Sequence, residues 1–115
     1  MGIKTINEWE KAVVFLLNLD GWELEWCAGG NKIYDAIGKT PKGVDCVIEM
    51  KFRKTHYDEK MLEKEKYDNL MAIDGVVKLF FVNDPKGNFM YYLNTLDMPK
   101  PVKKYCPDTT VYTKK

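Results

Sequence analysis

The chain has 115 residues, of which 45% are hydrophobic and 30% charged, with a formal net charge of +1 at pH 7. These values are typical of one globular domain with its own hydrophobic core, and the charge does not by itself indicate nucleic-acid binding. No apolar run approaches the roughly 18 residues that span a bilayer, and residues 1–10 lack a signal-peptide pattern. We therefore expect a soluble, cytoplasmic protein without membrane contact.

Cysteine usage and local charge add two expectations. The three cysteines, Cys27, Cys46 and Cys106, cannot all pair, and none belongs to a C-x-x-C unit, so we expect reduced thiols and no zinc site. Residues 51–66 hold six Lys and Arg against four Asp and Glu, and residues 100–115 hold five Lys against one Asp. Such basic segments suit contact with phosphates, although lysine runs are more often solvated surface.

A first helix is predicted from about residue 7 to residue 19, and Thr5 and Glu8 have the spacing of a capping box before it. Glu10 shares an i, i+3, i+4, i+7 stripe with Val13, Val14 and Leu17. The stripe places the Glu10 carboxylate at the edge of the buried face, or within it. The alternative is an acid that only complements the helix dipole.

Three strands in an antiparallel meander are predicted next, over residues 22–26, 32–37 and 44–53. The last two are joined by Thr40-Pro41-Lys42-Gly43, a β-turn sequence with proline in its second position. Asp35 is an acid among the apolar residues of the second strand. The turn places it opposite the Glu49 region of the third strand, so the two carboxylates are expected to lie close together.

The third strand carries an E-x-K pattern on an apolar ribbon. Glu49 and Lys51 point to one face because strand side chains alternate, and buried charges need a partner or a bound ion. Asp35 and Glu49 supply the hard oxygen ligands that Mg²⁺ or Mn²⁺ prefers, and the Met50 backbone carbonyl is a further candidate ligand. We interpret the pattern as a phosphodiester-cleaving site in which Lys51 orients the attacking water or stabilises the transition state.

Two simpler interpretations compete with this site. An E-x-K pattern alone more often marks a solvated strand, so the hypothesis depends on the acid that precedes it and the lysine that follows. Asp45 shares the Glu49 face and is the rival first acid. It lies about 13 Å back along the same strand, and Asp35 is therefore preferred.

A second helix is predicted from about residue 57 to residue 73, opened by Thr55 or His56 with acids in its first turn. His56 is interpreted as a solvent-facing or capping residue. Lys66 lies on the packing stripe of this helix together with Leu62, Asn69, Leu70 and Ile73. Strands over 76–82 and 89–93 follow, and residues 99–115 are expected to form an irregular or loosely docked basic tail.

Three segments resemble the PD-(D/E)XK nuclease superfamily, and most its short phage-encoded members: Tyr34-Asp35-Ala36, residues 47–53 and residues 61–71. The predicted order of elements over about residues 5–94 is similar to the superfamily's αβββαβ core. The resemblance implies an α+β, restriction-endonuclease-like fold of three layers, in which helices flank a central mixed sheet of about five strands. Residues 1–115 then form a single domain. Tyr34 departs from the motif, which has proline at this position.

The resemblance also implies divalent-metal-dependent cleavage of DNA. Asp35 and Glu49 become the ligands of Mg²⁺ or Mn²⁺, Lys51 the catalytic lysine, and Lys66 the helix residue that reaches the phosphate. A glutamate on the first helix often joins the site in this superfamily, and Glu10 is the candidate here. The candidate nucleic-acid contacts are Arg53, Lys60 and Lys64, and the pattern leaves open whether Lys64 or Lys66 is the helix residue at the site.

The resemblance favours DNA repair, recombination or phage DNA processing, alongside a phage or host replication or repair partner. A junction resolvase requires a homodimer, because a four-way junction needs two active sites. Candidate interface residues are Trp9, Trp22, Trp26, Tyr91 and Tyr92. The alternative function is a non-catalytic nucleic-acid-binding or regulatory module that keeps the nuclease fold.

Overall fold

The computed structural model describes residues 2–27, 33–56, 60–95, 102–104 and 109–114. In chain order the elements are α1 (Ile3–Leu19), β1 (Glu23–Trp26), β2 (Ala36–Lys39), β3 (Asp45–Phe52), β4 (Lys60–Glu63), α2 (Lys64–Met71), β5 (Val77–Asp84), β6 (Gly87–Tyr92), β7 (Val102–Lys104) and β8 (Thr109–Lys114). One mixed sheet has the strand order β1-β2-β3-β5-β6, and a second sheet has the order β4-β8-β7. The predicted α+β fold with a five-stranded mixed sheet is confirmed.

Helix α1 begins at Ile3, four residues earlier than predicted, with Gly2 as its N-cap and no side-chain cap bond. Thr5 therefore lies inside the helix, and the predicted capping box with Glu8 is wrong. Neither glycine nor proline occurs between Ile3 and Leu19, so nothing in the sequence prevents the extra turn. The predicted buried stripe is confirmed, since Val14 is 8% exposed and Glu10 is 7% exposed.

The β1–β2–β3 meander and its turn are confirmed, with antiparallel pairing throughout. Gly43 donates its N–H to the Thr40 carbonyl at 2.9 Å, which closes the turn. Strand β2 begins only at Ala36 and continues through Gly38, where a Cβ would lie 1.9 Å from the Glu23 carbonyl oxygen. Glycine thus permits the close approach of β1, and Asp35 stands just before the strand rather than inside it.

Strands β3 and β5 run parallel, and this pairing requires a crossover connection. Segments β4 and α2 provide the crossover and cover one face of the sheet, and α1 covers the other. The core between the sheet and α1 contains Val14, Cys46, Ile48, Met50, Leu79 and Phe81. The core between the sheet and α2 contains Val47, Leu62, Leu70, Phe80, Val82 and Leu93. Glu49 and Lys51 alternate with the first set and therefore belong to the α2 face.

The prediction of one helix over residues 57–73 is wrong. Of the described part of this range, residues 60–73, Lys60–Glu63 forms β4 and Lys64–Met71 is helical. Strand β8 pairs with β4 from Lys60 to Glu63, so a distant strand overrides the helical propensity of this segment. Leu62 and Leu70 are buried as predicted, whereas Asn69 is exposed. The first-turn acids of the predicted helix, at 58 and 59, lie outside the described residues.

Two parts of the predicted irregular tail form strands, namely residues 102–104 and 109–114. The two strands pair with each other, and β8 also pairs with β4, so β8 is the central strand of the second sheet. The sequence pattern gave no sign of this pairing, because short segments rich in lysine and threonine resemble a solvated tail in composition. Within the described ranges, no helix is long and apolar enough to cross a membrane.

Candidate active site

Asp35 is held at the point where β2 and β3 stop pairing. Its N–H donates to the Ile48 carbonyl at 2.8 Å, and its carbonyl accepts the Cys27 N–H at 2.8 Å. The Asp35 Oδ2 accepts the Met50 N–H at 2.8 Å, so the carboxylate caps the edge of β3 that β2 leaves open. Because the N–H and C=O of one strand residue face the same neighbour, the Met50 carbonyl faces this edge too.

Glu10 reaches the same place from α1. Its Oε1 accepts the Trp26 indole N–H at 2.9 Å. The carboxyls of Glu10 and Asp35 are neighbours that influence each other's pKa. Burial and the Asp35 charge raise the pKa of Glu10. Burial also raises the pKa of Asp35, although the hydrogen bond from the Met50 N–H acts to lower it. The helix stripe therefore delivers a carboxyl to Asp35, as the sequence suggested.

Glu49 is the most perturbed acid of the site. The residue is 5% exposed, and its Oε1 lies 3.3 Å from the Lys66 Nζ. Burial, followed by the charge of Asp35, raises the pKa of Glu49 to about 7. The raised pKa shows that the charges of Lys51 and Lys66 do not fully offset the burial of Glu49 and the nearby charge of Asp35.

Two lysine amines complete the cluster, one from β3 and one from α2. The amines of Lys51 and Lys66 are neighbours, and each changes the pKa of the other. Burial and the neighbouring Lys66 lower the pKa of Lys51. Burial also acts to lower the pKa of Lys66, but the Lys51 amine and the Glu49 charge outweigh it, and the net pKa is raised. The more buried amine, Lys51, is thus the one that gives up its proton more easily.

A fourth carboxylate, Glu63, was not among the predicted site residues. Its Oε2 lies 3.7 Å from the Lys51 Nζ and 3.5 Å from the Lys66 Nζ. Glu63 is the last residue of β4 and the N-cap residue of α2. The only signal in the sequence was its i, i+3 spacing from Lys66, which is common on solvated helices.

The sequence matches no protein-family model and no curated protein. Among solved structures, the chain is similar to Hjc, a Holliday junction resolvase from the archaeal hyperthermophile Archaeoglobus fulgidus. The two share a TM-score of 0.67 at 14% sequence identity, over 92% of this chain and 80% of that chain. The predicted restriction-endonuclease-like fold is therefore confirmed. At this identity, the likeness concerns the fold and not the individual residues.

The rival acid, Asp45, lies apart from the cluster. Asp45 is exposed, and its Oδ1 lies 2.7 Å from the Lys39 Nζ in a surface ion pair. Lys64 likewise pairs with Asp68 one turn along α2, so Lys66 is the helix lysine at the cluster.

The structure describes the surroundings of two of the other predicted residues, Arg53 and His56. Arg53 follows β3 and is partly buried, and its N–H donates to the Asn83 carbonyl at 2.8 Å. The side chain of Lys60 lies outside the described part of the chain. The interpretation of His56 as solvent-facing is wrong, because its Nδ1 lies 2.7 Å from the Oδ2 of Asp84, whose side chain is 1% exposed.

The donor set at the site fits a hard divalent cation with few protein ligands. No group of three or more His, Cys, Asp and Glu side chains in the described ranges is placed to hold a metal ion. The buried Glu49 carboxyl and the half-buried Asp35 carboxyl instead interact as neighbours, and the Met50 carbonyl faces the same edge. Mg²⁺ accepts one or two carboxylates because it keeps several waters and takes phosphate oxygens.

Proposed function

We propose that the chain is a divalent-metal-dependent deoxyribonuclease that hydrolyses phosphodiester bonds. The observation that carries the proposal is the convergence of Asp35, Glu49, Lys51 and Lys66 on the open edge of β3, within a nuclease fold. Burial there strengthens the interaction of the lysines with a bound phosphate, because water screens it less.

In the proposed mechanism, Asp35, Glu49 and the Met50 carbonyl would hold Mg²⁺ or Mn²⁺. Such an ion would supply Lewis-acid polarisation of the phosphate and would make water a stronger nucleophile. Lys66 binds a non-bridging phosphate oxygen as a cation. Lys51, whose pKa is lowered by burial, orients the attacking water and stabilises the charge that builds up in the transition state. Glu10, held by the Trp26 indole N–H, adds a further carboxyl next to Asp35.

We further propose a branched DNA substrate and a homodimer. The similarity to a Holliday junction resolvase supports both, because two cuts across a junction need two sites. Apolar side chains on α1 supply a surface for self-association, since Phe15, Leu16 and Leu19 are 63%, 62% and 70% exposed. Of the predicted interface residues, Trp9 and Tyr92 are 39% and 50% exposed. A setting in cytoplasmic repair, recombination or phage DNA processing, with a phage or host partner, fits this substrate.

The test incubates the protein with single-stranded, linear duplex and four-way junction DNA in Mg²⁺, Mn²⁺ or EDTA. Wild type is expected to cut the junction in Mg²⁺ or Mn²⁺ only, and Glu49→Ala to lose roughly a hundredfold or more in rate. The matched control is Asp45→Ala, which removes an exposed acid of the same strand. Cleavage in EDTA, or full activity of Glu49→Ala, contradicts the proposal. Binding without cleavage supports the non-catalytic module instead.

A further inference from the structure

Lys51 and Lys66, the two lysines proposed to contact the phosphate, both contact the carboxylate of Glu63, which has no role in the proposed mechanism. One oxygen of Glu63 lies 3.7 Å from the Lys51 Nζ and 3.5 Å from the Lys66 Nζ. Glu49, in contrast, pairs with Lys66 alone, at 3.3 Å. Among the described residues, Glu63 is thus the carboxylate that contacts both lysines.

The backbone around Glu63 explains how it reaches the lysines. The residue ends β4, whose pairing with β8 places Glu63 opposite Val111, and it also begins α2, where Lys66 follows one turn later. The second sheet therefore carries this carboxylate to the α2 face of β3. The position of Glu63 therefore depends on the pairing of β4 with β8, which the predicted helix over residues 57–73 does not include.

The geometry of Glu63 differs from that of a fixed structural ion pair. Both N–O distances exceed the 2.7 to 2.9 Å of a tight charge-assisted hydrogen bond, so the attraction is mainly electrostatic. The Glu63 side chain is 31% exposed and can turn towards water, whereas that of Glu49 is 7% exposed. A carboxylate and a phosphate present similar anionic oxygens to an ammonium group.

We propose that Glu63 occupies the phosphate position between Lys51 and Lys66 in the free protein and is displaced when a nucleic-acid phosphate binds. The inference rests on the proposed function for its substrate, although the anion position itself is a property of the free chain. Glu63 keeps the two cations together without substrate, and it also competes with the substrate for them. Removing its charge then strengthens anion binding at this position.

The test compares Glu63→Gln with Glu65→Gln, both in EDTA so that no cleavage occurs. Glu65 is exposed, lies in the first turn of α2 and loses the same single charge. Fluorescence anisotropy gives the Kd for a labelled DNA junction, and NMR titration gives the Kd for inorganic phosphate. Glu63→Gln is expected to bind both about fivefold more tightly than Glu65→Gln, because a like charge next to the anion matters more than a screened distant one. Glu63→Ala is expected to give the same gain, since the missing charge causes it.

The outcomes separate this inference from the proposed function. Tighter phosphate binding by Glu63→Gln, with no cleavage by wild type in any metal, retains the anion position and removes the nuclease. Metal-dependent cleavage by wild type, with Glu63→Gln no tighter than Glu65→Gln for either anion, overturns the role of Glu63 and retains the nuclease. Weaker binding by Glu63→Gln, or no phosphate binding by any variant, also overturns it.

Discussion

Replacing Glu49 by glutamine tests how costly the buried charge of the site is. The folded protein raises the pKa of this carboxyl from 4.5 to about 7, by burial and by the charge of Asp35. The carboxyl therefore ionises in the unfolded chain at lower pH than in the folded one. Stability is lost as pH rises from about 4.5 to about 7, and the loss is complete above that range.

The size of the effect follows from the same values. A pKa that rises from 4.5 to about 7 corresponds to roughly 3 kcal/mol of destabilisation at high pH. Glutamine removes this cost but leaves Lys66 without its nearest carboxylate partner, at 3.3 Å. We therefore expect Glu49→Gln to raise the free energy of unfolding by about 1–2 kcal/mol at pH 8 and to give no gain at pH 4.5.

Urea denaturation in EDTA at the two pH values measures the difference between variant and wild type, so groups common to both cancel. The control is Asp45→Asn, an exposed ion-pair residue, which should change stability by less than about 1 kcal/mol at either pH. A Glu49→Gln variant that is less stable than wild type at pH 8, and closer to it at pH 4.5, would show that the charge stabilises the fold. That result refutes the reasoning.

Three further substitutions test the contacts that position the site. Gly38→Ala places a Cβ 1.9 Å from the Glu23 carbonyl oxygen, so thermal denaturation should show a loss of about 2 kcal/mol or more; a neutral result would contradict the close approach of β1 and β2. Asn18→Ala removes two hydrogen bonds that join α1 to Leu24, and urea denaturation should show a cost of about 1–2 kcal/mol, whereas no loss would mean that water replaces them. Leu70→Ala leaves a cavity at a residue that is 0% exposed, with an expected cost of about 2–5 kcal/mol by the same measurement; a cost below 1 kcal/mol would argue against its central packing.

The patterns that predicted the fold are those with a strict local period or a fixed turn chemistry. Alternation identified the E-x-K strand, the Thr40 turn set its partner, and together they brought Asp35 to Met50. The helical stripe of α1 brought Glu10 to the same acid. These features depend on neighbouring residues in the chain or on one short hairpin, and a single sequence contains that information.

The parts that the sequence did not predict depend on distant pairing. Strand β4 forms because β8, almost fifty residues later, supplies its hydrogen-bond partners. Glu63 reaches Lys51 and Lys66 only through that pairing, so it could not be identified from helical spacing. His56 was likewise assigned by its local position, while its partner Asp84 comes from a strand that is parallel to β3.

Binding of Mn²⁺ in solution tests most directly whether Asp35 and Glu49 hold one divalent cation. Electron paramagnetic resonance of free Mn²⁺, titrated with wild-type protein at pH 8, is expected to show one site per chain, and Asp45→Asn to retain it. Asp35→Asn and Glu49→Gln should each weaken that site at least tenfold, because each removes one of two charged ligands. Equal Mn²⁺ binding by wild type and both variants, or no binding by wild type, would contradict the proposed metal site.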